Sequence, residues 1–117
     1  MDDKIKVYQK PTCSKCRQAL ARLGECGVEF EAVNYYQTPL TEEELRELIN
    51  QLGIAPRELL RKDEAVYREL GLGKREVADD ELIRLMIEHP DLMQRPIVVR
   101  GDRAVLARPL ENLDQLL

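Results

Sequence analysis

Cys13 and Cys16 are the residues of this chain best placed to do chemistry. They follow Lys4-Ile5-Lys6-Val7-Tyr8-Gln9, whose alternation predicts a strand that Lys10-Pro11-Thr12 brings to an end. Downstream, Cys16, Leu20 and Leu23 recur at helical spacing with Ala19 beside them, which predicts a helix from about Ser14 to Glu25. A thiol at such a junction faces the unpaired N–H groups and partial positive charge of a helix N-terminus, a setting that favours an anion. A free cysteine titrates near pH 8.5, and such surroundings lower that to roughly 3.5–7.5. Cys13, with Arg17 close by in sequence, is therefore the candidate nucleophile rather than a small packing residue. Cys16 opens the Leu20/Leu23 face, so it reads as a core residue or as a resolving thiol, the second being favoured. Cys26 lies in the helix-exit turn Glu25-Cys26-Gly27 and reads as incidental.

The elements that must position these thiols follow from the same patterning. Val28–Tyr35 alternates as a second strand, with Val28, Phe30 and Ala32 on one side. Thr41 and Glu44 form a capping box before Leu45, Leu48, Ile49 and Leu52, and Gly53 closes that helix. Short helices are expected near Arg57–Lys62, opened by Pro56, and over Glu64–Leu70. Asp79 is expected to cap a helix carrying Leu82, Ile83, Met86 and Ile87 that stops by Pro90. Pro96–Arg100 and Arg103–Ala107 are short strands joined by the hairpin signal Gly101-Asp102, and Pro109 starts a terminal helix with Leu110, Leu113, Leu116 and Leu117. The order is βαβ, then helices, then ββα, which fits a thioredoxin-like sandwich with a helical insertion.

Composition narrows the function. The chain has 117 residues, room for one domain, and its 44% apolar content suffices for a core built mainly from Leu, Ile, Val and Ala. A net charge of −4 argues against generic nucleic-acid binding. No apolar run reaches transmembrane length, and Met1-Asp2-Asp3-Lys4 does not begin like a secretory leader. An odd count of three cysteines argues against a secreted disulfide framework, so a reducing, cytoplasmic setting is expected. A metal site would need more ligands than Cys13, Cys16, distant Cys26 and His89 offer. A cysteine phosphatase loop would need Arg where this chain has Ala19, and a Cys–His hydrolase has only His89 as its base.

Four anchors in order carry a resemblance: Tyr8-x-x-Pro11-x-Cys13, Glu58-Leu59-Leu60-Arg61-Lys62, Arg95-Pro96-Ile97-Val98-Val99 and Arg108-Pro109. From Val7 nearly to the C-terminus the chain resembles the ArsC/Spx family of thioredoxin-fold proteins, closest to its glutaredoxin-dependent arsenate reductase branch. The resemblance implies an α/β thioredoxin-like fold with a mixed four-stranded sheet. It implies one domain over 1–117, with a core at 4–36 and 95–117 and a helical insertion at about 41–90. It further implies that Cys13 attacks arsenate, that Arg61, Arg95 and Arg108 hold the oxyanion, and that Pro96 is cis. Arginine suits that task because guanidinium stays charged and offers a planar fork to an anion's oxygens. In the related enzymes glutathione attacks the arsenic adduct and a glutaredoxin completes the reduction, with no tightly bound cofactor.

Two departures stand out. Gln9-Lys10 replaces the His-Asn often found in the reductases, and Cys16 replaces a frequent Ser. The second opens another route, in which Cys16 displaces the arsenic and leaves a Cys13–Cys16 disulfide for thioredoxin or glutaredoxin. The alternative reading, from the Spx branch, is a redox-responsive regulator that binds RNA polymerase through a Cys13/Cys16 switch. Arg108 weighs against it, because those regulators generally lack that arginine.

Overall fold

Ile5 and Val7 are almost fully buried, whereas Lys6 between them is exposed, and this alternation makes Ile5–Gln9 a strand with one face to the core. The computed structural model describes residues 4–117; Met1–Asp3, where no leader was expected, lie outside them. The elements run β1 (Ile5–Gln9), α1 (Ser14–Glu25), β2 (Phe30–Asn34), α2 (Glu42–Leu52), α3 (Ala65–Glu69), α4 (Asp79–Glu88), β3 (Ile97–Arg100) and β4 (Arg103–Leu106). Short 3-10 helices cover Pro56–Leu59, Pro90–Leu92 and Leu110–Gln115. The strands form one sheet in the order β2-β1-β3-β4, with β1 parallel to β2 and antiparallel to β3, and β3 antiparallel to β4. This is the mixed four-stranded, thioredoxin-like α/β arrangement.

The chain divides into two compact units, one made of residues up to Thr38 with Arg95–Leu117, the other of Pro39–Gln94. In the first, α1 and the terminal 3-10 helix pack on the sheet through Ala19, Leu23, Leu113 and Leu116 against Ile5, Val7 and Val98. Leu23 is fully buried, a contribution of about 1.5–3 kcal/mol for a side chain of its size. In the second unit, Leu45, Leu48 and Ile49 of α2 and Leu82, Ile83 and Met86 of α4 are the buried positions. The Thr41–Glu44 capping box is formed in both directions, and Gly53 adopts φ 71°, the left-handed conformation that closes α2.

Several expectations are corrected. β2 is shorter than Val28–Tyr35 and lies at the sheet edge, so Ala32 is exposed although Phe30 still packs on the core. Asp79 does not cap α4; Ala78 holds the cap position, and Asp79 sits in the first turn, where its charge complements the macrodipole. The segment after Pro56 is a 3-10 turn ending at Leu59 instead of a helix to Lys62, and α3 stops at Glu69. The terminal helix is 3-10 as well, closed by i→i+3 bonds such as Asn112 N–H to Pro109 C=O (3.1 Å), and Leu117 is exposed. Among the described residues, no helix is long and apolar enough to cross a membrane.

Candidate active site

The sheet register gathers the chemistry at one end. β1 ends with Gln9 opposite Asn34, the last residue of the parallel strand β2, so the turns that follow both strands leave the sheet together. Antiparallel β3 starts there, with Ile97 opposite Tyr8, and β4 finishes there, with Leu106 opposite Ile97. Cys13, Tyr35-Tyr36, Arg95 and Arg108 therefore emerge from neighbouring strand ends. The Ala107 N–H donates to the Pro96 carbonyl at 3.1 Å, which ties the backbone just before Arg108 to that just after Arg95. Both Arg95–Pro96 and Arg108–Pro109 are cis, the second of which the sequence reading did not include.

Cys13 is the N-cap residue of α1, in extended conformation, with its N–H bonded to the Lys10 carbonyl (2.9 Å) and its own carbonyl to the Arg17 N–H (3.1 Å). Its sulfur faces the N–H groups of Cys16 and Lys15 without completing a capping hydrogen bond, and no acidic side chain occupies the first turn. Partial burial alone would push this thiol up. The backbone N–H and thiol of Cys16, the Arg95 guanidinium and the Lys15 N–H outweigh that and bring it down to about 7. Cys16 is the opposite case. It is wholly buried at the root of α1, and burial pushes its thiol up to about 11 although the Lys10 N–H donates to its sulfur at 3.5 Å. The negative charge on Cys13 holds the Cys16 proton in place as well. As pH rises through about 7, Cys13 therefore becomes the thiolate while Cys16 remains a thiol.

This asymmetry gives a direct expectation. Alkylation of Cys13 should rise with pH through about 7, while Cys16 stays unmodified in the native protein. Because the folded state depresses the Cys13 pKa, the thiolate stabilises the fold at alkaline pH, and that contribution is lost as pH falls through about 7. Mass spectrometry after timed alkylation measures both thiols at once; a Cys13 midpoint at the ordinary thiol value removes the basis for its activation.

Arg95 is 6% exposed, and its Nη1 donates to the Tyr36 hydroxyl at 3.4 Å. Tyr36 lies against Tyr35 with ring centroids 5.0 Å apart, and the Lys10 ammonium sits 4.9 Å above the Tyr36 ring. The Tyr35 hydroxyl is buried near Arg95 without good hydrogen-bond geometry, and burial pushes it up to about 12, so it stays a neutral phenol. Gln9 is buried on the Ile5/Val7 side of β1, and as an amide it takes up no proton. Arg108 is exposed, and its guanidinium makes no hydrogen bond or ion pair among the described residues. Arg61 belongs to the second unit. There its N–H donates to the Leu92 carbonyl (2.7 Å), and its guanidinium pairs with Glu64 (3.3 Å) and Asp63 (3.9 Å). Cys26 is exposed. Among the described residues, no three His, Cys, Asp or Glu side chains cluster to hold a metal.

Sequence reasoning singled out Cys13, Cys16 and Arg95 and missed Tyr35 and Tyr36. The available signal was a Tyr-Tyr doublet at a strand end in a chain with only four tyrosines. A thiolate at a helix start, backed by a buried thiol and a buried guanidinium, is suited to two-electron thiol chemistry on an anion.

Known proteins agree in kind. A family model described as ArsC family matches residues 8–116. The arsenate reductase of Neisseria meningitidis serogroup A is 41% identical over 114 residues, 97% of both chains. Escherichia coli YfgD is 41% identical over 118 residues, covering 100% of this chain and 99% of that protein. The structure of an arsenate reductase from Vibrio cholerae superimposes with a TM-score of 0.94 at 38% identity and covers all of both chains. This chain belongs to the ArsC family.

Proposed function

We propose that the protein is an arsenate reductase in which Cys13 is the nucleophile and Cys16 the resolving thiol. The observation that carries this reading is the placement of Cys13 at the N-cap of α1 beside buried Cys16 and buried Arg95, in a chain 41% identical to an arsenate reductase over nearly its whole length. The Cys13 thiolate attacks arsenic in dihydrogen arsenate. One oxygen takes a proton and leaves as water, so a sulfur–arsenic bond replaces an arsenic–oxygen bond and arsenic stays pentavalent. Cys16 then attacks the Cys13 sulfur. The electron pair of the sulfur–arsenic bond passes to arsenic, which leaves as arsenite carrying the Cys16 proton, and a Cys13–Cys16 disulfide remains. Two electrons from thioredoxin or glutaredoxin regenerate the dithiol.

The order of events follows from the same electrostatics. Burial is the main cause that keeps Cys16 protonated, and it persists in the adduct; bonding of the Cys13 sulfur to arsenic removes only the smaller contribution of the Cys13 charge, while Arg95 and the Lys10 N–H still favour the Cys16 thiolate. Arg95 and Arg108 bind the oxyanion in this reading. Arg61 enters it through the family resemblance alone. Glutathione can replace Cys16 as the attacking thiol, with glutaredoxin completing the cycle.

Cys16→Ser is the deciding variant. It should lose thioredoxin-supported turnover while keeping part of the glutathione-supported rate, and oxidised wild type should show a Cys13–Cys16 bond by mass spectrometry. Unchanged turnover with both donors, or oxidation that pairs Cys13 with exposed Cys26, rules out the resolving role. If neither donor supports arsenate reduction and oxidation instead changes affinity for RNA polymerase, the regulator reading replaces this one.

A further inference from the structure

Lys10 ends the β1 side of the thiol loop and Arg95 lies just ahead of β3, so nothing in the chain's local sequence holds these two cations together. Tyr36 touches both. Its hydroxyl accepts from Arg95 Nη1 at 3.4 Å, and its ring face lies 4.9 Å from the Lys10 ammonium. The tyrosine is itself fixed from two directions. The Asn34 side chain accepts from the Tyr36 N–H at 3.0 Å, while the Asn34 carbonyl accepts from Gln37 and Thr38 (3.1 and 3.0 Å), closing a tight turn at the end of β2. The buried Tyr35 ring supports it from one side, with centroids 5.0 Å apart and planes at 36°.

A side chain anchored in this way confines two flexible cations. Arginine and lysine side chains carry up to about 2 kcal/mol of rotamer entropy when free, and a preset geometry lowers the entropy lost when an anion binds. The two contacts are chemically different, one a hydrogen bond to the hydroxyl and the other a cation–π contact with the ring. They can therefore be removed one at a time.

We propose that Tyr36 is a positioning residue of the oxyanion site, setting Arg95 through its hydroxyl and Lys10 through its ring so that both cations are placed to meet the anion that Cys13 attacks. This rests on the reductase reading for the identity of the anion, but the effect on the thiol can be read without arsenate. The groups that face Cys13 are Cys16 and the Lys15 N–H on α1, Arg95 ahead of β3, and the neutral phenol Tyr35 after β2. Of these, Tyr36 touches Arg95 by hydrogen bond and Tyr35 by ring contact.

The test compares wild type with Tyr36→Phe, which keeps the ring and loses the hydroxyl, and Tyr36→Leu, which loses both. Each is alkylated with iodoacetamide across the pH range, with and without arsenate as protecting ligand, and Cys13 is followed by mass spectrometry. Tyr36→Phe should move the Cys13 midpoint upward, because Arg95 is no longer held where it stabilises the thiolate. It should also weaken arsenate protection roughly three- to tenfold, the size of one hydrogen bond. Tyr36→Leu should weaken protection about two- to fivefold further, the size of an exposed cation–π contact. The Phe variant should melt like wild type. The proposal is overturned if Tyr36→Phe matches wild type in both midpoint and protection, even when Tyr36→Leu is impaired, since packing alone would then explain the Leu variant. If arsenate fails to protect the wild-type thiol, the reductase reading fails, and the midpoint shift in Tyr36→Phe still decides whether Tyr36 sets Arg95.

Discussion

Cys13→Ser should reduce arsenate turnover to background with thioredoxin and with glutathione/glutaredoxin alike, while leaving the fold at least as stable as wild type below about pH 7, where the thiolate contributes little. The loss goes deeper than a weaker nucleophile. Sulfur supplies the electron pair that takes arsenic from its pentavalent to its trivalent state and ends the step in a disulfide, and a serine oxygen cannot replace it as the reductant. Stability should move the other way. Residue 13 is the N-cap of α1, in extended conformation, with the N–H groups of Lys15 and Cys16 ahead of it. Serine is among the preferred residues there, and its oxygen accepts from such N–H groups at a gain of roughly 0.5–1 kcal/mol. A thermal melt alongside the turnover assay separates the two effects, and Cys26→Ser, on the exposed third cysteine, should leave both unchanged. Turnover retained by Cys13→Ser with either donor would falsify the nucleophile assignment.

How far the sequence carried this site depends on the range of the interactions involved. The limits of α1 were legible because Pro11, the Cys16/Leu20/Leu23 spacing and the exit turn Glu25-Cys26-Gly27 are local signals, and the helix runs from Ser14 to Glu25 as expected. The Thr41–Glu44 box and the Gly101-Asp102 hairpin were legible for the same reason. The segments after Pro56 and Pro109 were not, since α and 3-10 turns put apolar residues at nearly the same spacing and only the closing hydrogen bonds separate them. Asp79 was expected as the cap of α4, but the extended N-cap conformation falls at Ala78, a choice made by backbone geometry that composition does not encode.

Within the site, Cys13 and Cys16 could be read from one loop, whereas Arg95 needed the family resemblance and Tyr36 escaped altogether. The tyrosine's partners are Lys10, at the end of β1, and Arg95, just ahead of β3, and they meet only because the sheet runs β2-β1-β3-β4. Sheet order is a long-range property to which a Tyr-Tyr doublet gives no local clue. The opposite states of the two thiols were also out of reach. Spacing put Cys16 on the buried face of α1, but its full burial and the Lys10 N–H aimed at its sulfur arise only on folding.

Arg95→Ala should lower kcat/KM for arsenate by about a hundredfold, near the upper end of what a hydrogen bond to a charged group is worth. It should also raise the pH at which Cys13 alkylates, because Arg95 is one of the groups that bring the thiol down to about 7. The two readouts distinguish binding from activation. Loss of activation can be recovered by raising the pH until the thiol ionises unaided; loss of the oxyanion contact cannot. The variant should therefore regain part of its turnover above the ordinary thiol pKa and still fall short of wild type. Arg95→Lys keeps a charge in a 6% exposed site but not the fork, so it should restore the alkylation midpoint more fully than turnover. Arg108 provides the contrast. It is exposed and is not among the groups that set the Cys13 thiol, so Arg108→Ala should raise KM and leave the midpoint in place. Far-UV circular dichroism checks that removing the buried guanidinium leaves the fold intact, and the Lys variant carries the test if it does not. Wild-type turnover in both Arg95→Ala and Arg108→Ala would show that neither guanidinium holds the oxyanion.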